Sequence, residues 1–133
     1  MSNKTSNIDI QKIFLLICAI GLIPIAISYG LVPEKTLTPL FGISVDNMNL
    51  THILRAVMGL YFGQIVFWFM GAFNPKLRKP ALYVLVVFMF GLAFGRLLSF
   101  ILDGIPHWLL IVYFGLEVFF GLVGLYLLKK GDQ

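Results

Sequence analysis

This chain of 133 residues is 59% hydrophobic and 12% charged, with a mean hydropathy of +0.94. A soluble domain is about half apolar and about a quarter charged, so a soluble globule is excluded. The net charge of +4 does not point to nucleic acid, because the basic residues lie in short hydrophilic connections without interleaved aromatics. One cysteine, Cys18, leaves no internal disulfide, and two histidines leave no Cys/His cluster or HExxH pattern, so no cofactor or metal is expected.

The length suits one domain. Four stretches reach the roughly 20 mostly apolar residues that cross ~30 Å of hydrocarbon. They are residues 13–32, 50–73, 81–102 and 108–128. The predicted fold class is all-α, an integral membrane four-helix antiparallel bundle. The first stretch is too long for a signal peptide core, and Ala26-Ile27-Ser28 is a poor cleavage site, so it reads as a retained helix kinked at Pro24. Residues 33–49 mix Pro33, Pro39 and Gly42 with Leu37, Leu40, Phe41 and Ile43. This connection should lie against the outer face, as a lid or as a loop sunk into headgroups. Asn74-Pro75 ends the second span, and Pro80 suits the first turn of the third, where its missing N–H has no helical partner. Asp103-Gly104-Ile105-Pro106 makes a tight turn into the fourth. Trp68, Tyr83, Trp108 and Tyr126 fall toward span ends, where aromatic rings favour the interface.

Basic residues orient the bundle. Lys4, Lys12, Lys76, Arg78, Lys79, Lys129 and Lys130 all fall on one side, whereas the other has Lys35 with Glu34, Asp46 and Asp103. The positive-inside rule then makes both termini cytoplasmic, in a multi-pass protein of a bacterial plasma (inner) membrane.

Three ionisable residues lie within the spans: Arg55, Arg96 and Glu117. Charge at that depth is costly unless paired or wetted, so it normally faces a bundle interior and marks a site. Steps of three and four residues align His52, Arg55, Gly59 and Gly63 in the second span. They likewise align Arg96, Ser99 and Asp103 in the third, and Tyr113, Glu117, Gly121 and Gly124 in the fourth. The segments Gly59-Leu60-Tyr61-Phe62-Gly63-Gln64 and Gly91-Leu92-Ala93-Phe94-Gly95-Arg96 echo one another. Both read as small-residue packing faces or as a trace of an inverted repeat. Counting ~1.5 Å per residue from the outer ends puts Arg55 and Arg96 ~9–10 Å deep and Glu117 ~15 Å deep. All three should then converge, with His52, Asp103 and His107 capping them.

Three functions fit that cluster. In the structural one, Arg96 forms a charge-assisted, bidentate pair with Glu117, Arg55 pairs with Asp103 or reaches the outer interface, and the network only fixes helix packing, as in a scaffold or accessory subunit. In the ligand one, two arginines and one carboxylate leave a positive charge for an anionic headgroup. The ligand is then membrane lipid, a small anionic amphiphile or a quinone-like molecule, held by Arg55, Arg96, Glu117, His52, Ser99, Asp103, Tyr113 and Gln64. Phe62, Phe94, Phe100, Phe114 and Phe119 are candidate walls. In the third, Glu117 is the candidate catalytic acid or proton carrier of a membrane enzyme or transporter. Glycine faces also suit a homo-oligomer.

Leu54-Arg55-Ala56-Val57-Met58-Gly59, Gly95-Arg96-Leu97-Leu98-Ser99, Asp103-Gly104-Ile105-Pro106 and Glu117, in this order, carry a resemblance over nearly the whole chain. The chain resembles the bacterial domain-of-unknown-function family numbered four-three-four-five, whose members are four-helix proteins of this length. In size and helix count it also resembles the DoxX-like group of small membrane proteins, some linked with redox or quinone metabolism. The resemblance implies the architecture and the choice of residues, and it names no reaction.

Overall fold

The described residues form five helices: α1 (Ser2–Gly30), α2 (Pro33–Phe41), α3 (Met48–Phe73), α4 (Pro75–Asp103) and α5 (Trp108–Gly131). The computed structural model describes the backbone of residues 2–131 and the side chains of residues 10–131. All but α2 are long and apolar enough to cross a membrane, the apolar part of α1 starting at Ile10. A helix meets the hydrogen-bonding needs of its own backbone in hydrocarbon, which is why segments this apolar take that form.

Local chemistry sets the connections. Asn74 serves two helices at once: its N–H donates to the Met70 carbonyl at 2.8 Å, and its Oδ1 accepts from the Lys76 N–H at 3.0 Å. Pro75 takes the first helical position of α4. Pro80 therefore lies inside α4 rather than in its first turn, because the Asn74 cap starts the helix earlier than residue 81. Asn47 caps α3 in the same way, its Oδ1 accepting from the Asn49 N–H at 2.7 Å. Helix α1 continues through Pro24.

The long connection contains α2, which buries Pro33 and Leu37. Thr36 Oγ1 donates to the Ser28 carbonyl at 2.5 Å and ties α2 to the end of α1. Gly42, at a φ of 70°, ends the helix in the left-handed conformation; its N–H donates to the Thr38 carbonyl at 2.9 Å and the Ile43 N–H to the Leu37 carbonyl at 3.4 Å. Phe41 then reaches α5, edge-on to His107 and Tyr113 with ring centres 5.7 and 6.3 Å away. Helix α2 thus lies across one end of the bundle.

Neighbours in the bundle follow chain order, with α1 on α3, α3 on α4 and α4 on α5. Between α1 and α5 the ring closes chiefly at the end away from α2. There Gln11 Nε2–H donates to the Leu127 carbonyl at 3.1 Å, and Phe14 meets Phe120 with centroids 6.1 Å apart. The core draws Leu15, Ala19 and Leu22 from α1, Tyr61, Ile65 and Trp68 from α3, and Leu82, Leu85 and Met89 from α4. Tyr29, Tyr61, Phe88 and Trp68 stack edge to face in succession, with spacings of 5.6, 5.4 and 5.6 Å. Trp68 is wholly buried and so is no interface anchor, because it continues the Tyr61–Ile65 face of α3 into the core. Tyr83, Trp108 and Tyr126 are exposed, as an aromatic belt requires.

Close helix approach occurs at Gly30 and Gly71 and, on the stripe shared with Glu117, at Gly121 and Gly124, not at the glycines of the echoing segments. A Cβ on Gly30 would lie 2.5 Å from the Met58 Cβ and 2.8 Å from the Leu54 carbonyl. One on Gly71 would overlap the Ala81 Cβ, and Gly121 and Gly124 receive Phe90 and Val86. Nothing lies within 4 Å of the same position on Gly59, Gly63, Gly91 or Gly95. The glycines of the echoing hexapeptides therefore receive no neighbouring helix within the chain, although Tyr61 and Ala93 of the same segments are buried. Lipid and protein neighbours are equally apolar, so spacing alone does not tell which glycine a second helix will touch.

Candidate functional site

Arg96 continues the buried face of α4, following Leu82, Leu85, Met89 and Ala93 at steps of three and four residues. Glu117 opens the buried face of α5 that runs on through Gly121, Gly124 and Leu128. The short turn between these antiparallel helices sets the two residues level. Arg96 Nε–H donates to both carboxylate oxygens of Glu117, at 2.6 Å to Oε1 and 3.0 Å to Oε2. One N–H is thus shared between two oxygens, where the sequence suggested a bidentate fork. The guanidinium carbon also stands 5.7 Å from the centre of the Tyr113 ring, a cation–π contact. The Tyr29 phenol completes its surroundings, near enough to interact electrostatically with the guanidinium.

Arg55 does not converge on this pair. Six residues at 3.6 per turn carry it about 120° around α3 from Tyr61, away from the core. It is exposed, and among the described residues it makes no ion pair or hydrogen bond. His52, Gly59 and Gly63 share that outward face and are exposed too. Asp103 is also apart: it is exposed and accepts from Ser99 Oγ–H at 2.7 Å, so it does not neutralise Arg55. Gln64 borders a separate crevice with Tyr83, Val84, Val87 and Phe88, and its buried Oε1 has no hydrogen-bond partner among the described residues. His107 caps α5, its Nδ1 accepting from the Leu109 N–H at 3.2 Å.

Arg96, Glu117 and Tyr113 are therefore the expected residues that come together, with Ser99 one turn away. The local charge is one cation against one anion, in place of two against one. Beside the pair lies a cavity of about 190 Å³ between α1 and α5. Cys18, Gly21 and Leu22 line it from α1, Tyr61 from α3, Met89 and Leu92 from α4, and Leu116 and Phe120 from α5. Its rim is exposed at Ile17, Gly21 and Leu116, and its far end is closed where Phe120 meets Phe14. A second, more open crevice of about 380 Å³ passes Gly95, Ser99, Pro106 and Leu110. Arg96 borders both.

Several contributors were not legible in the sequence. None of the five phenylalanines expected as walls lines the cavity, although Phe100 borders the second crevice and stacks on Phe114 at 5.1 Å. Phe94 and Phe119 are exposed. Phe120, which does line the cavity, has no mark distinguishing it from its twelve fellow phenylalanines. Tyr29 and Tyr61 carried a weak signal as polar aromatics inside apolar spans. Arg78, counted above as a connection charge, is buried and donates Nη2–H to the Ala72 carbonyl at 2.6 Å. It thereby satisfies one of the carbonyls left unpaired at the end of α3.

Four apolar helices of spanning length around an internal ion pair define a small polytopic membrane protein. The family model described as Domain of unknown function (DUF4345) matches residues 10–128, and the chain belongs to that family. The matched region includes both members of the ion pair. No curated protein and no solved structure matches the chain.

Proposed function

We propose that the protein binds a small amphipathic molecule taken from the bilayer, with its polar end at Arg96 and its apolar part in the cavity between α1 and α5. The observation that carries this reading is the position of Arg96 on the wall of an apolar cavity with an exposed rim. A pair serving only to hold helix register is best surrounded by close-packed side chains, as protein interiors generally are. Here one guanidinium N–H holds the carboxylate, and the guanidinium as a whole borders open space. The basic residues support the orientation: seven Lys and Arg flank the end away from α2. We therefore place both termini in the cytoplasm of a bacterial cell and the cavity in the outer half of its plasma membrane.

A second reading has its own observation. The Arg96–Glu117 pair is neutral by itself and needs no ligand for charge balance, so it would serve equally to fix α4 against α5 in a scaffold or accessory subunit. Gly21→Leu separates the two. Gly21 lines the cavity and nothing lies within 4 Å of its Cβ position, so a leucine there fills the space without a backbone clash. Native mass spectrometry of protein extracted with its own lipids should show a small-molecule adduct on the wild type that Gly21→Leu lacks. Identical adducts on both, or none on either, would leave the scaffold reading.

A further inference from the structure

We infer that the ligand's head is uncharged and carries a hydrogen-bond-accepting oxygen, such as the carbonyl of a ketone or ester. This rests on the binding reading above and narrows its chemistry. Two observations carry it.

The first is the charge around the head position. Arg96 approaches from α4, Glu117 and Tyr113 from α5, Tyr61 from α3, and Tyr29 and Cys18 from α1. The carboxylate and the guanidinium cancel, and no other residue of that group brings a fixed charge. Arg55 lies on the outward face of α3, and Asp103 is exposed and bonded to Ser99. An anionic head would leave the apolar site net negative and a cationic head would leave it net positive, without a counter-charge in either case.

The second is the donor count. A guanidinium has five N–H donors and no acceptor. Glu117 places both its oxygens on the Nε–H, and the Tyr29 phenol stands near the group without taking up a further donor in a hydrogen bond among the described residues. Donors remain over on a side chain that faces a cavity whose other walls are almost wholly apolar. A carbonyl oxygen accepts them through its two lone pairs and adds no charge. Its chain then runs past Cys18 and Met89 toward Phe120, away from α2.

The test uses the whole protein in phosphatidylcholine nanodiscs and four probes with one tail: tridecane, 2-tridecanone, tridecanesulfonate and tridecyltrimethylammonium. Affinities are read by native mass spectrometry on the wild type, on Gly21→Leu and on the double variant Arg96→Met with Glu117→Met. The ketone should bind about tenfold to a hundredfold more tightly than the alkane, the range of one hydrogen bond to a charged group. It should also bind more tightly than either ion. In the double variant the ketone should fall to the affinity of the alkane while the alkane still binds, which shows the cavity intact. Tighter binding of the sulfonate or the ammonium would overturn the inference and leave the binding reading standing. Absence of binding by every probe, or binding that Gly21→Leu leaves unchanged, would overturn both.

Discussion

Removing Arg96 or Glu117 singly and then together tests whether the pair is electrostatically coupled, and the geometry sets the sizes. The Glu117 side chain is 8% exposed and that of Arg96 is 19%. Breaking a buried pair by removing one partner costs ~3–5 kcal/mol, because the survivor is left uncompensated. The two halves should differ. Arg96→Gln strands a carboxylate that, among the described residues, accepts hydrogen bonds from Arg96 alone, so its cost should reach that ~3–5 kcal/mol. Glu117→Gln leaves a more exposed guanidinium with the Tyr29 oxygen and the Tyr113 ring still beside it, so ~2 kcal/mol is expected. With both changed, two neutral amides face each other and stability should return to within ~1 kcal/mol of the wild type. Reversible unfolding of the four proteins in bicelles, followed by steric trapping, measures this cycle. Costs that simply add to within ~0.5 kcal/mol would refute the coupling. A larger loss from Glu117→Gln than from Arg96→Gln would refute the argument from burial.

Gly30→Ala should cost ~1–3 kcal/mol, because its methyl meets Met58 and the Leu54 carbonyl, whereas Gly59→Ala should change stability by less than ~0.5 kcal/mol; the same unfolding assay decides. Arg55→Gln should likewise fall within ~0.5 kcal/mol of the wild type, and a loss comparable to that of Arg96→Gln would place Arg55 back in the cluster. Arg78→Ala removes the buried donor to the Ala72 carbonyl and should cost ~1.5–3 kcal/mol. Hydrogen exchange should then rise at the end of α3 and the start of α4, and protection equal to that of the wild type would count against the capping role.

Composition and apolar run length were sufficient to read the architecture. Hydrocarbon forces each long apolar segment to satisfy its own backbone, so four such segments mean four spanning helices. The pairing of Arg96 with Glu117 was also readable, because ionisable residues avoid lipid and a short turn fixes the register of antiparallel neighbours. What the chain did not disclose was which way its other polar groups face. A helix that is apolar all round has no contrast between core and lipid sides. The same three- and four-residue steps therefore described the exposed stripe of Arg55, Gly59 and Gly63 and the buried stripe of Glu117, Gly121 and Gly124. Packing alone decided between them, turning Tyr61, Ile65 and Trp68 inward and so carrying Arg55 about 120° away. It also decided where α1 and α5 touch and where they part, which is what makes the cavity. Such gaps depend on the shapes of side chains distant in sequence, and no local pattern encodes them.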